Sequence, residues 1–253
     1  MRLLIDAGNS RLKWAVSRGR GLETIGSMSR DDVRQGGVNA LLDELGDMPD
    51  SIWVANVAGQ SLEDALRRAA PELADGAWHF EKTREHCLGL TNGYRQPDLL
   101  GVDRWIAMIG AFARVGEAVC VVDAGTACTL DAVDSTGRHL GGVIAPGVGL
   151  MQSSLRKDTS DIDLHAKRSK GEDKGLFARS TAGAVTSGSV FSLAALAERG
   201  VRELAQVCGH EPALILTGGD AQLVADQCQV ACTVVPELVL EGLNLIAENE
   251  LGD

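Results

Sequence analysis

Three carboxylates stand where their neighbours give them chemistry to do. Asp6 and Asp123 each open the tripeptide Asp-Ala-Gly, and each follows a run of small aliphatic residues, Leu3 to Ile5 and Val119 to Val122. Downstream come polar residues that could meet a phosphate: Asn9, Ser10, Arg11 and Lys13 after the first, Thr126 after the second. A glycine lets backbone N–H groups approach a phosphate, a hydroxyl adds a donor, and a carboxylate holds a hard cation. The stretch Asp6, Ala7, Gly8, Asn9, Ser10, Arg11, Leu12, Lys13 could therefore cradle the β- and γ-phosphates of a nucleotide. Asp123 is a candidate cation ligand and Thr126 a candidate phosphate donor. No GxxxxGK[ST] motif is present, so this is no Walker loop.

The third carboxylate, Asp103, lies in Gly101-Val102-Asp103-Arg104 at the start of a helical pattern. A carboxylate there can accept the proton of an attacking hydroxyl, and phosphoryl transfer asks it for position more than for strong basicity. Arg104 could bind an anionic substrate or the transferring phosphate. Each motif has an ordinary alternative: Asp6 and Asp123 closing their own turns, Lys13 as a solvated strand residue, and Asp103 as a helix cap.

These residues need strands and turns to hold them. Both Asp-Ala-Gly turns sit between apolar runs, a strand–turn–strand pattern, and its repetition points to a duplicated lobe. The first lobe reads β-β-β-α-β-α, with helical spacing over 31–45 and 61–69 and a strand over 51–57. Residues 78–80 read as a further short strand, 85–101 as irregular, and 103–114 as a helix. The second lobe continues with strands to residue 133 and over 139–144, and a helix opening at Leu150. A highly charged surface loop is expected over 156–175. A long helix from Thr181 to about Cys208, broken near Gly200, leads to a buried strand over 213–217 and Gly218-Gly219-Asp220, a site type where α/β proteins bind adenosine. A strand over 231–235 and a helix over 237–248 close the chain. The division falls at 1–115 and 116–253, and the fold class is α/β.

With 253 residues the chain can build two lobes, and a net charge of −11 argues against a nucleic-acid backbone as partner. The six cysteines include no CxxC pair, which fits reduced thiols in a reducing compartment. The start of the chain carries no signal-peptide pattern, and no run of about 18 apolar residues offers a membrane span. A cytoplasmic protein without membrane or nucleic-acid partners is expected. The five histidines are scattered without metal spacing.

Taken together, the motifs resemble those of the type III pantothenate kinases, in the acetate kinase/sugar kinase/actin superfamily. Asp6 to Lys13 is similar to that family's first phosphate motif and Asp123 to Thr129 to its second. Asn92-Gly93-Tyr94, Pro97 and Leu100 to Trp105 resemble its pantothenate and catalytic segment, and Gly141 to Gly147 its glycine-rich segment. The resemblance implies two ribonuclease H-like lobes, each a mixed β-sheet with flanking helices, in the actin-like ATPase fold. It implies ATP-dependent phosphorylation of pantothenate to 4′-phosphopantothenate, the first step towards coenzyme A. Asp103 would be the proton acceptor. ATP would be bound by residues 6–13 and Thr126, and pantothenate by Tyr94, Gly101, Val102, Asp103, Arg104 and Thr181. Asp123 would hold a monovalent cation, K+ or NH4+, and Mg2+ would accompany ATP in a homodimer. The sequence departs from the family in Ser10, where Thr is usual, in Ser180, where Asn is favoured, and in the proline-free charged loop. Another phosphatase or sugar kinase of the superfamily, or an accessory protein keeping only the nucleotide fold, stays open at this point.

Overall fold

β1 (Arg2–Ala7) is built from Leu3, Leu4 and Ile5, all buried, and it is paired on both sides. A strand in that position must be apolar on both faces, so it reads as a continuous run rather than an alternation. The computed structural model describes residues 1–18, 21–158 and 175–252 and divides into two units, Met1–Arg114 with Glu237–Asp253, and Val115–Pro236.

In the first unit β2 (Arg11–Ser17) returns antiparallel to β1 with Lys13 opposite Asp6, and β3 (Leu22–Ser29) extends the sheet. A capping box starts a short turn of helix, α1 (Arg30–Asp32): Asp32 N donates to Ser29 Oγ at 3.2 Å and Ser29 N to Asp32 Oδ2 at 3.1 Å. A π-helical turn, Val33–Gly37, then joins it to α2 (Val38–Leu45). The single helix expected over 31–45 is therefore interrupted, at Gly36, whose φ is 93°. β4 (Ser51–Asn56) and β5 (Trp78–Phe80) pair parallel, giving the order β3-β2-β1-β4-β5. Between them α3 (Gln60–Ala69) buries Leu62 and Leu66, one turn apart, in a core shared with Leu3, Ile5, Leu12 and Val54. Each such side chain contributes about 1.5–3 kcal/mol of transfer free energy.

Two two-residue strands, β6 (His86–Cys87) and β7 (Leu90–Thr91), form a hairpin in the stretch expected to be irregular. α4 (Val102–Val115) follows.

The second unit repeats the plan. β8 (Val119–Ala124), β9 (Ala127–Val133) and β10 (His139–Pro146) are antiparallel neighbours. α5 (Val148–Asp158) and α6 (Thr181–Cys208) precede β11 (Ala213–Thr217), α7 (Ala221–Ala225) and β12 (Thr233–Val234). The order β10-β9-β8-β11-β12 has the same directions as the first sheet. Duplicated lobes with mixed sheets, as the sequence implied, are what these orders describe.

α6 runs unbroken for 28 residues, against the expected break at Gly200. Gly200 is there for packing: a Cβ would come within 2.5 Å of the Leu130 side chain. The last helix, α8 (Leu238–Leu251), which the sequence reading gave to the second lobe, packs with the first unit against β1 and β4. Gly110 of α4 and Gly242 of α8 let these helices cross closely, since a Cβ on Gly242 would lie 2.2 Å from the Ile106 carbonyl. Arg114 then donates to both carboxylate oxygens of Glu241 at 2.8 Å. The expected loop over 156–175 begins inside α5, and its residues 159–174 lie outside the described residues.

Candidate active site

In the first unit the turn after β1 is tied from α1. Arg30 N donates to the Ser10 carbonyl at 3.2 Å, and Arg30 Nη1 to the Gly8 carbonyl at 3.4 Å. Asn9, Ser10 and Arg11 are exposed there, with Arg11 Nη2 donating to Ser27 Oγ at 2.8 Å. Ala7 and Leu12 are fully buried in the core, so any contact they make with a ligand goes through their backbone. Arg30 was not singled out in the sequence. Its signal was the Ser29/Asp32 capping box, which fixes where that helix starts.

The expected reacting end gathers on α4 and the segment before it. Trp105 N donates to the Gly101 carbonyl at 3.0 Å, starting the helix, and Asp103 falls in its first turn. The Asp103 carboxylate folds back, with Oδ1 accepting from Arg104 N at 2.8 Å. Gly101 must lack a side chain for this, because a Cβ would sit 2.7 Å from that oxygen. Arg104 is buried at 7% exposure, and its Nη1 donates to the Tyr94 hydroxyl at 3.0 Å. Its guanidinium carbon lies 5.7 Å from the Tyr94 ring centre. A buried guanidinium beside a half-exposed carboxylate and a phenol can orient a polar, anionic substrate with a hydroxyl near the carboxylate.

The segment bearing Tyr94 is itself anchored. Asn92 bonds to the Arg84 and Pro97 carbonyls and to Tyr94 N, and Thr83 Oγ1 donates to the Leu100 carbonyl at 2.7 Å. Arg84 pairs with both Glu81 and Glu250. Burial pushes the Glu81 carboxyl above its usual range, and the charge of Arg84 opposes that.

In the second unit Asp123 is half-buried at the end of β8, against a turn in which Gly125 N donates to the Ala127 carbonyl at 3.1 Å. Thr126 is exposed beside it. Gly218, after β11, has a φ of 95° and packs on this turn, where a Cβ would come within 2.3 Å of Asp123 Oδ1. The Asp123 carboxylate is thus flanked closely by backbone, and its oxygens are hard donors of the kind a cation takes. Asp220 follows, its carboxyl raised by burial. Thr181 is exposed at the first position of α6, where Ser180 caps the helix by accepting from Gly183 N at 3.1 Å. Ser180 thus serves as a good N-cap. Thr181 lines a groove of about 920 Å³ with Pro146, Leu150, Leu155 and Val185. Tyr94, Gly101, Val102, Asp103 and Arg104 are therefore one cluster in the first unit, while Asp123 and Thr126 form another in the second, with Thr181 on a separate helix. Among the described residues no group of three His, Cys, Asp or Glu side chains could hold a metal ion.

Two mixed sheets of equal order, each opening on Asp-Ala-Gly, define the class as the actin-like ATPase and sugar-kinase fold. A ROK family glucokinase of Streptomyces griseus, in complex with glucose and AMPPNP, superposes with a TM-score of 0.55 at 12% identity, over 98% of this chain and 99% of that one. A Campylobacter jejuni structure bearing the name of a conserved Baf family transcriptional activator gives 0.65 at 21% identity, over 99% and 100%. At these identities both show the fold alone. A family model for type III pantothenate kinase matches residues 2–203. A type III pantothenate kinase of Alcanivorax borkumensis is 34% identical over 260 residues, 99% of this chain and 100% of that one. The chain belongs to the type III pantothenate kinase family.

Proposed function

We propose that this protein transfers the γ-phosphoryl group of ATP to the primary hydroxyl of pantothenate, giving 4′-phosphopantothenate and ADP at the start of coenzyme A synthesis. The observation that carries the reading is the Tyr94–Arg104–Asp103 cluster in a chain of this family. Arg104 and Tyr94 hold the pantothenate carboxylate and amide end, with Gly101 and Val102 giving backbone contacts. The pantothenate hydroxyl oxygen attacks the γ-phosphorus, the bond to the β,γ-bridging oxygen breaks, and the hydroxyl proton passes to the Asp103 carboxylate. The Asp6-to-Lys13 turn and Thr126 hold the ATP phosphates.

Asp123 would hold a monovalent cation, K+ or NH4+, and Mg2+ would arrive with ATP; when bound, these offset the charge of the phosphates. The half-buried carboxylate of Asp123 at the second Asp-Ala-Gly turn, a hard oxygen donor, supports the first assignment. A homodimer is the matching assembly. The edge strand β10 exposes Val143 at 46% and Ile144 at 65%, next to Leu150 and Leu155 of α5. Thr181 of the adjoining groove would contribute to pantothenate binding. No described helix is long and apolar enough to cross a membrane, and the cytoplasm is the proposed compartment.

The test is ADP release from ATP and Mg2+ with and without pantothenate, in potassium and in sodium, with the product mass determined. Release that needs pantothenate, yields phosphopantothenate and rises in potassium supports the reading. Equal turnover in both salts removes the role of Asp123, and ADP release independent of pantothenate overturns the substrate.

A further inference from the structure

Asn92 is buried to 7% exposure, and both the nitrogen and the oxygen of its amide are engaged. Nδ2 donates to the Arg84 carbonyl at 3.3 Å and to the Pro97 carbonyl at 3.1 Å, while Oδ1 accepts from Tyr94 N at 2.9 Å. Its own N donates to the Glu85 carbonyl at 2.9 Å. Only one orientation of the amide satisfies two carbonyls and one N–H, so the side chain is locked. The three partners belong to three places: the strap before the β6–β7 hairpin, the residue carrying the phenol, and the 3-10 turn Pro97–Leu99 that leads to Gly101.

We infer that Asn92 is the positioning residue of the substrate segment. It fixes the backbone of Tyr94 relative to both flanks of its loop, so that the phenol stands 3.0 Å from the guanidinium of Arg104. Arg84 extends the tie: its carbonyl is held by Asn92 and its guanidinium bridges Glu81 and Glu250, the latter in α8. Asn92 does not touch the reacting atoms. It acts through Tyr94 and Arg104, on the binding of pantothenate rather than of ATP. A loop with few packed side chains keeps such a geometry only if its backbone is stitched from inside, because each loose bond lets the phenol wander. Displacing a substrate contact by about 1 Å costs on the order of a hundredfold in rate.

This inference rests on the pantothenate reading for its kinetic part alone. Tyr94 is the only tyrosine in the chain, so 3-fluorotyrosine labelling gives a single fluorine resonance that reports on it. The test compares the wild type with Asn92→Ala and Asn92→Asp, the latter keeping an acceptor for Tyr94 N and losing both amide donors. In the variants the Tyr94 resonance shifts or broadens without any ligand. The KM for pantothenate rises about tenfold or more, while the KM for ATP stays within about twofold, as expected where binding geometry is lost at one substrate only. If Asn92→Ala fails to fold, Asn92→Asp carries the comparison. An unchanged resonance with an unchanged KM for pantothenate overturns the inference. Equal rises in both KM values overturn it too, because they mark general loosening. If the wild type does not turn over pantothenate, the substrate reading has failed, and the fluorine spectra still decide whether Asn92 positions Tyr94.

Discussion

Asp6 and Asp123 are the fifth residues of β1 and β8, and in each strand the aspartate is the one half-exposed residue among five buried ones. Each strand is the central one of five, antiparallel to one neighbour and parallel to the other, in sheets of the same order. Duplication therefore fixes more than the outline of the lobes. It sets two carboxylates at equal depth at the ends of equivalent strands, each followed by a glycine turn. Their partners then differ: Asp6 stands opposite Lys13 in the ladder, Asp123 opposite Thr129.

Gly242→Ala destabilises the protein. Helix propensity alone favours alanine by about 1 kcal/mol. Here the new Cβ lies 2.2 Å from the Ile106 carbonyl oxygen, a backbone atom that cannot rotate away. Overpacking of this kind costs about 1–3 kcal/mol or more and outweighs the propensity gain. Urea denaturation should show a lower midpoint, and an unchanged or higher one would mean that α4 and α8 do not cross as described.

Leu88 is the one non-glycine residue with positive φ among the described residues, at 45°, and Gly89 follows at 84°. These angles suit a two-residue turn that favours Asn-Gly. Leu88→Asn should therefore stabilise the protein, by less than the roughly 1–2 kcal/mol that a left-handed residue costs, since asparagine tolerates that conformation. At 37% exposure Leu88 gives up only part of a buried leucine's contacts, which keeps the net gain small. A higher thermal midpoint checks it.

Burial pushes the thiols of Cys120 and Cys128 up to about 12 from an ordinary 9.0. The folded protein holds these protons more tightly than the unfolded chain. Their contribution to stability is therefore complete below pH 9 and is lost as the pH climbs towards 12. By pH 10 the loss is on the order of 1 kcal/mol per thiol. A Cys120→Ala/Cys128→Ala variant should show a flatter fall in urea midpoint over that window than the wild type. Iodoacetamide near neutral pH should spare both thiols until the protein unfolds.

Ile144→Arg should shift the assembly to monomers in sedimentation velocity. An arginine on an exposed apolar edge strand blocks edge-to-edge or face burial without touching the core. Pantothenate turnover should fall with it. A wild type that sediments as a monomer, or a variant that stays dimeric, contradicts the proposed interface.

Much of this was readable in the sequence because it is local. Strands β1 and β8 announce themselves as aliphatic runs, and the Asp-Ala-Gly turns and the Gly101-to-Arg104 segment are contiguous. What was not readable depends on distant partners. Gly200 looks like a helix breaker until Leu130 is seen to need its space. The last helix reads as the end of the second lobe, yet the Gly110–Gly242 contact settles it in the first unit. The β6–β7 hairpin is too short for periodicity, and Leu88 gives no turn signal. Asn92 could be noticed as part of a motif, but its three bonds reach residues eight back and five forward and are visible only in the fold.

In the proposed reaction Asp103 takes the proton of the substrate hydroxyl. Asp103→Asn keeps the shape of the side chain, and its amide oxygen can still accept from Arg104 N. The direct measurement is pantothenate-dependent turnover of that variant, alongside the affinity for an ATP analogue by calorimetry. A loss of about 10²–10⁴-fold in kcat is expected, the usual worth of a positioned base, with analogue affinity within about twofold of wild type. Turnover at the wild-type rate would contradict it.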